Sequence, residues 1–250
     1  MELFYLTPAS ISYLNQFLQA GLITGYLFIR FFIHKTQKPS RLVQLLMAFF
    51  ASASALSMLF LLETSLLPAE RLFVVYLENT VLGITLFLLI DFGYHFPQLK
   101  PEYARERKIV LALAVFYILW EAGIAVWRFS QLGMFVVKFR PDFADFIPAA
   151  LILWVVFIFF RNAFQNRENK ASRNFALIFA IPFLIIIVNI LRSFYLVSEM
   201  VFHIFASIGI LFSLSLFVLN FLSFLPETTQ FSTKFSGLIF AVCLAVFGSI

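Results

Sequence analysis

The chain has 250 residues, of which 62% are hydrophobic and 12% charged, with a formal net charge of +5. Soluble domains carry about 25% charged residues, so a water-soluble fold is excluded. The surplus of positive charge does not point to nucleic acid either, because the basic residues flank apolar runs and so act first as signals of membrane orientation.

A helix that crosses a hydrocarbon core of about 30 Å needs about 20 mostly apolar residues. Eight runs meet or approach that length, at 11–33, 42–62, 72–92, 109–127, 143–160, 175–196, 201–222 and 235–250. They are apolar on every side rather than at alternate positions, which favours helices over the strands of a membrane barrel. The expected fold class is therefore all-α: one membrane-embedded domain over 1–250, with seven complete spans and an eighth cut at the C-terminus. The last run reaches Ile250 without a polar flank and reads as a fragment boundary. The first run is long and follows the acidic Glu2, unlike a cleavable leader.

Lys and Arg set the expected orientation. Arg30, Lys35, Lys38 and Arg41 follow the first run; Lys100, Arg105, Arg107 and Lys108 follow the third; Arg161, Arg167, Lys170 and Arg173 follow the fifth. The loops between are poorer, although Arg128, Lys138 and Arg140 stand against Asp142 and Asp145 in one of them. A Lys and Arg excess marks the cytoplasmic side, so the expected location is a bacterial cytoplasmic membrane, multi-pass, with the N-terminus outside.

Within this frame Pro97 and Pro101 close the third helix and Pro226 the seventh, while Pro182 falls inside the sixth and should kink it. Gly21 and Gly25, and Ala51 and Ala55, stand four apart and permit close helix approach, within one bundle or along a homodimer seam. Trp120, Trp127 and Trp154 suit the membrane interface. The single cysteine, Cys243, excludes an internal disulfide and reads as a small apolar side chain.

Ionisable groups inside spans are expensive, so each calls for a partner or a function. The candidates for ligand binding are Glu78, Asn79, Glu121, Arg128, Asn189, Arg192 and His203, all expected in the outer half. Glu121 and Arg128 share a helical face, as do Asn189 and Arg192. Their arrangement suits a hydrated pocket that opens outward to a small-molecule ligand, with Glu78 or Glu121 facing Arg192. The competing arrangement is a set of ion pairs that only hold helices together. Asp91 and His95 belong near the inner face.

Other chemistries find no footing. His34, His95 and His203 are too dispersed for one metal site, and no metal or cofactor is expected. Asp91-Phe92-Gly93 spells a kinase triplet without the other kinase elements. No lysine stands in 201–222 for a Schiff base, and neither a glycine-rich phosphate loop nor a Ser-His-Asp order is visible. The segment is not expected to be an enzyme.

The stretch 86–98, LFLLIDFGYHFPQ, resembles the apolar helix and aromatic-Phe-Pro turn of N-terminal multi-span sensory regions in bacterial signalling proteins. The stretch 220–237, NFLSFLPETTQFSTKFSG, resembles the segment that precedes the last span of such regions. In those families the membrane region heads a histidine kinase, a nucleotide cyclase or a phosphatase, often after an extracytoplasmic segment. The resemblance implies a sensory input region that passes a helix rearrangement to a downstream effector. A small transporter or channel and a structural membrane partner are the alternatives. A transporter would show internal repeats and broken helices at the midplane, and no repeat is evident in the sequence.

Overall fold

Thr7 opens the first helix. Its hydroxyl accepts from the Ser10 amide at 3.1 Å, while Ser10 Oγ accepts from the Thr7 amide at 2.8 Å, and Pro8 supplies a preset φ in the first turn. Ser40 likewise starts the second helix, and Asn169 the sixth, where its Oδ1 accepts from the amides of Ala171 at 3.0 Å and Ser172 at 3.3 Å. These caps and the long apolar runs give seven helices: α1 (Pro8–Phe28), α2 (Arg41–Ser65), α3 (Leu72–His95), α4 (Ala104–Leu132), α5 (Phe146–Gln165), α6 (Lys170–Ser193) and α7 (Glu199–Phe224). One turn of 3₁₀ helix, Pro101–Tyr103, leads into α4. The computed structural model describes residues 7–29, 40–66, 72–132, 146–193 and 196–224.

The all-α class is as expected, but the count of spans is corrected. Among the described residues four stretches are long and apolar enough to cross a membrane, Arg41–Ser65, Val74–His95, Pro101–Gln131 and Phe146–Gln165, in place of seven. The first helix falls short because Ser10, Ser12, Asn15, Gln16 and Gln19 dilute its hydropathy. In α7, which is 26 residues long, Ile208–Asn220 is the apolar stretch among the described residues. The run at 235–250, with Cys243, lies outside the described residues, as do Pro226 and the basic residues Arg30, Lys35 and Lys38.

The chain forms two compact units, residues 1–155 and 156–250. In the first, α1 packs on α2, α2 on α3 and α3 on α4, each antiparallel to the last. The register can be followed from contact to contact. Tyr13 meets Phe60 at 5.2 Å, Ser54 Oγ donates to the Phe17 carbonyl at 3.1 Å, and Tyr76, Asn79 and Asp91 of α3 meet Arg128, Glu121 and Arg107 of α4 in turn. Exposed apolar side chains such as Ile109, Phe116, Leu119, Val126 and Trp127 cover the outside of α4, as a lipid-facing helix requires.

Close approach between helices uses small residues, though not all of those anticipated. A Cβ on Gly21 would stand 3.3 Å from Ser54 Oγ, whereas one on Gly25 would meet nothing within 4 Å. On α2 the buried small side chains are Ala53, Ser54, Ser57 and Ser65, while Ala51 and Ala55 are exposed. The tightest approach is at Gly83, where a Cβ would fall 2.6 Å from Ile118 Cγ1 and 3.0 Å from Tyr117 Cδ1.

In the second unit, α6 and α7 pair around a cluster of aromatic rings. Phe159 stacks on Phe179 with centroids 4.2 Å apart, and Phe175 lies 4.9 Å from Phe217. Buried Asn220 donates to the Ala171 carbonyl at 2.8 Å and accepts from Asn174 Nδ2 at 3.1 Å, which ties the end of α7 to the start of α6. The α6 helix continues through Pro182.

Candidate polar layers of the first unit

Polar groups collect at the two ends of α3. At the end near Ser65, Asn79 Nδ2 donates to Glu121 Oε2 at 3.1 Å, and Glu121 is fully buried. One to two turns away, Arg128 Nη1 donates to the Tyr76 hydroxyl at 2.9 Å. Glu78 is also buried, at 6% exposure, and its Oε1 has no hydrogen-bond partner among the described residues. Glu63 of α2 and Tyr13 of α1 stand beside it. Of the anticipated residues, Asn79, Glu121 and Arg128 stand at the α3–α4 contact, while Glu78, at the same end of α3, stands beside α1 and α2. The side chains of Asn189, Arg192 and His203, on α6 and α7, lie outside the described residues. The pairing of Glu78 or Glu121 with Arg192 falls there too.

A second layer, at the Arg41 end, was only partly legible in the sequence. Asp91 is buried at 1% exposure. Arg107 holds its Oδ1 through Nη2 at 2.6 Å and Nε at 2.7 Å, short bonds of the charge-assisted kind. Arg41 Nη2 reaches Oδ2 at 3.3 Å. His95, one turn along α3, donates from Nδ1 to the Asp91 carbonyl at 2.8 Å and lies 3.4 Å from Oδ1. A carboxylate this deep in an apolar bundle is stable only when paired, and here guanidiniums from α2 and α4 supply the charge.

Beside it, the Tyr94 hydroxyl donates to Glu106 Oε1 at 2.5 Å and accepts from Trp154 Nε1 at 3.0 Å. This relay joins α3, α4 and α5. Trp154 is half-buried and donates to Tyr94, while Trp127 is 63% exposed. In the sequence, Arg41 and Arg107 read only as orientation charges. The available signal was Asp91 itself, an acid at the end of an apolar run with basic residues on both flanking segments.

Among the described residues, no three His, Cys, Asp or Glu side chains come together as a metal site. Both layers can hold charge, bind a polar ligand, or lock helices in register. In comparisons with known proteins, the chain matches no family model, no curated protein and no solved structure.

Proposed function

We propose that this chain is the membrane-embedded sensory input region of a bacterial signal-transduction protein. In this reading a small ligand, or a change in the membrane, acts on the layer formed by Tyr76, Glu78, Asn79, Glu121 and Arg128. The response is a shift of α3 against α4 that reaches an effector beyond this segment. The four long apolar stretches cross the membrane in this reading, with the Arg41 end facing the cytoplasm.

The observation that carries the reading is that α3 is bonded to α4 at both ends and by apolar contact between them. Asn79–Glu121 and Tyr76–Arg128 stand at one end; Asp91–Arg107 and Tyr94–Glu106 stand at the other. From Glu78 to Asp91 the helix rises about 20 Å at 1.5 Å per residue. A ligand that repacks the first layer therefore loads the second through one stiff element. Such a signal requires that the ligand bind two arrangements of the layer with different affinity. The resemblance of 86–98 and 220–237 to sensory membrane regions points the same way.

The test is a thermal-shift screen of small polar compounds against the chain in lipid nanodiscs, followed by distance measurements between spin labels at the Arg41 ends of α3 and α4. The reading expects a compound that raises the unfolding temperature, changes that distance, and loses both effects in Glu121→Gln. Stabilisers that act equally on Glu121→Gln and leave the distance unchanged would overturn it. Uptake of such a compound into sealed vesicles would favour a transporter instead.

A further inference from the structure

The end of the bundle around Asp91 carries more basic than acidic side chains. Arg107 alone gives Oδ1 two short bonds, at 2.6 and 2.7 Å, and its side chain is 24% exposed. Arg41 is different. Its contact with Oδ2 is long, at 3.3 Å, and its side chain is 60% exposed. Arg41, Arg107, Asp91 and Glu106 sum to zero, but with Lys100, Glu102, Arg105 and Lys108 this end holds five basic and three acidic side chains, and Arg41 is the more exposed of the two guanidiniums. The nearby Glu106 carboxylate accepts from Tyr94. Arg105 and Lys108, both exposed, add further positive charge to the segment that carries Arg107.

The position of Arg41 sharpens the imbalance. It is the first residue of α2, directly after the Ser40 cap, and the first turn of that helix contains no acidic residue. A cation there is opposed by the positive end of the helix dipole, which favours an anion. This end of α2 is also an end of an apolar stretch long enough to cross a bilayer, so it stands at headgroup depth. Exposed Leu99 and Ile109 flank the segment that supplies Arg107, and they offer apolar surface to acyl chains beneath a headgroup.

We infer that Arg41 and Arg107 hold the phosphodiester of an anionic phospholipid at the Asp91 end of α2, α3 and α4. Guanidinium presents a fork of N–H donors that matches phosphate oxygens. Arg107 keeps its bonds to Asp91, and Arg41 shares its donors between Asp91 and the lipid. A zwitterionic lipid would bring its own cation to an already positive site, so a net-anionic headgroup is preferred. This inference requires a bilayer but not a sensory role.

The experiment uses the whole chain in phosphatidylcholine nanodiscs with and without phosphatidylglycerol. Retained lipid is read by native mass spectrometry and stability by thermal unfolding. Wild-type protein should retain phosphatidylglycerol over phosphatidylcholine and unfold at a higher temperature when it is present. Arg41→Gln should weaken that retention about tenfold, the loss of one charge-assisted contact, while Arg105→Gln should keep most of it. Equal loss in both variants would show diffuse attraction to a basic surface and overturn the assigned site. Stabilisation by inorganic phosphate in phosphatidylcholine alone would show a soluble anion site instead. Should Arg41→Gln not fold, wild-type protein remains decisive: absence of a phosphatidylglycerol preference overturns the inference.

Discussion

At the scale of single residues, Asp91 shows how burial turns a common ion pair into a structural necessity. Removing one partner of a buried pair costs about 3–5 kcal/mol, because the other charge is left uncompensated, whereas an exposed pair is worth about 0–1 kcal/mol. Arg107→Gln should therefore lower stability severely, and Arg41→Gln by no more than about 1 kcal/mol in a zwitterionic bilayer. The double variant Asp91→Asn with Arg107→Gln should recover part of the loss, since no buried charge then remains. Chemical unfolding in lipid or mild detergent would measure all three. At Tyr94 the hydroxyl serves two partners, Glu106 and Trp154. Tyr94→Phe strips one acceptor and one donor at once, and about 1–3 kcal/mol is expected. A changed Trp154 emission would report the loss directly.

At the scale of helices, packing is decided by which small residue faces a neighbour. Gly83→Ala places a Cβ 2.6 Å from Ile118 Cγ1, beside the rigid Tyr117 ring. The gain from replacing a helical glycine, about 1 kcal/mol, is smaller than the overpacking cost of about 1–3 kcal/mol. The variant should be destabilised. Gly25→Ala meets nothing within 4 Å and should be neutral or slightly stabilising. A thermal scan of the two side by side tests both signs. In the second unit, Asn220→Leu removes the bonds to Ala171 and Asn174 that tie α7 to α6. Interhelical hydrogen bonds in membranes average about 0.6 kcal/mol, with a maximum near 1.7. A loss in that range is expected, visible as a lower unfolding temperature.

At the scale of the whole molecule, the orientation proposed from the basic loops is open to a direct test. Glu102, in the turn before α4, and Glu168, between α5 and α6, both sit in segments rich in Lys and Arg. In a Cys243→Ser background, Glu102→Cys and Glu168→Cys should each react with an impermeant thiol reagent only from the cytoplasmic side. Reaction from outside at either position would invert the orientation read from the charges.

What the sequence determined by itself is the class of structure. An apolar fraction of 62% and long runs apolar on every side select helices, four of them long and apolar enough to cross a bilayer among the described residues. It also marked Glu78, Asn79, Glu121 and Arg128 as costly groups, because the price of a charge in hydrocarbon depends on local context alone. The tertiary structure decided their partners. Arg128 meets Tyr76, and Glu121 meets Asn79, since helical periodicity assigns faces but not neighbours. It likewise raised Arg41 and Arg107 from orientation charges to partners of Asp91. Those residues stand 50 and 16 positions from Asp91 in the chain. Only the antiparallel register of α2, α3 and α4 brings them to one carboxylate.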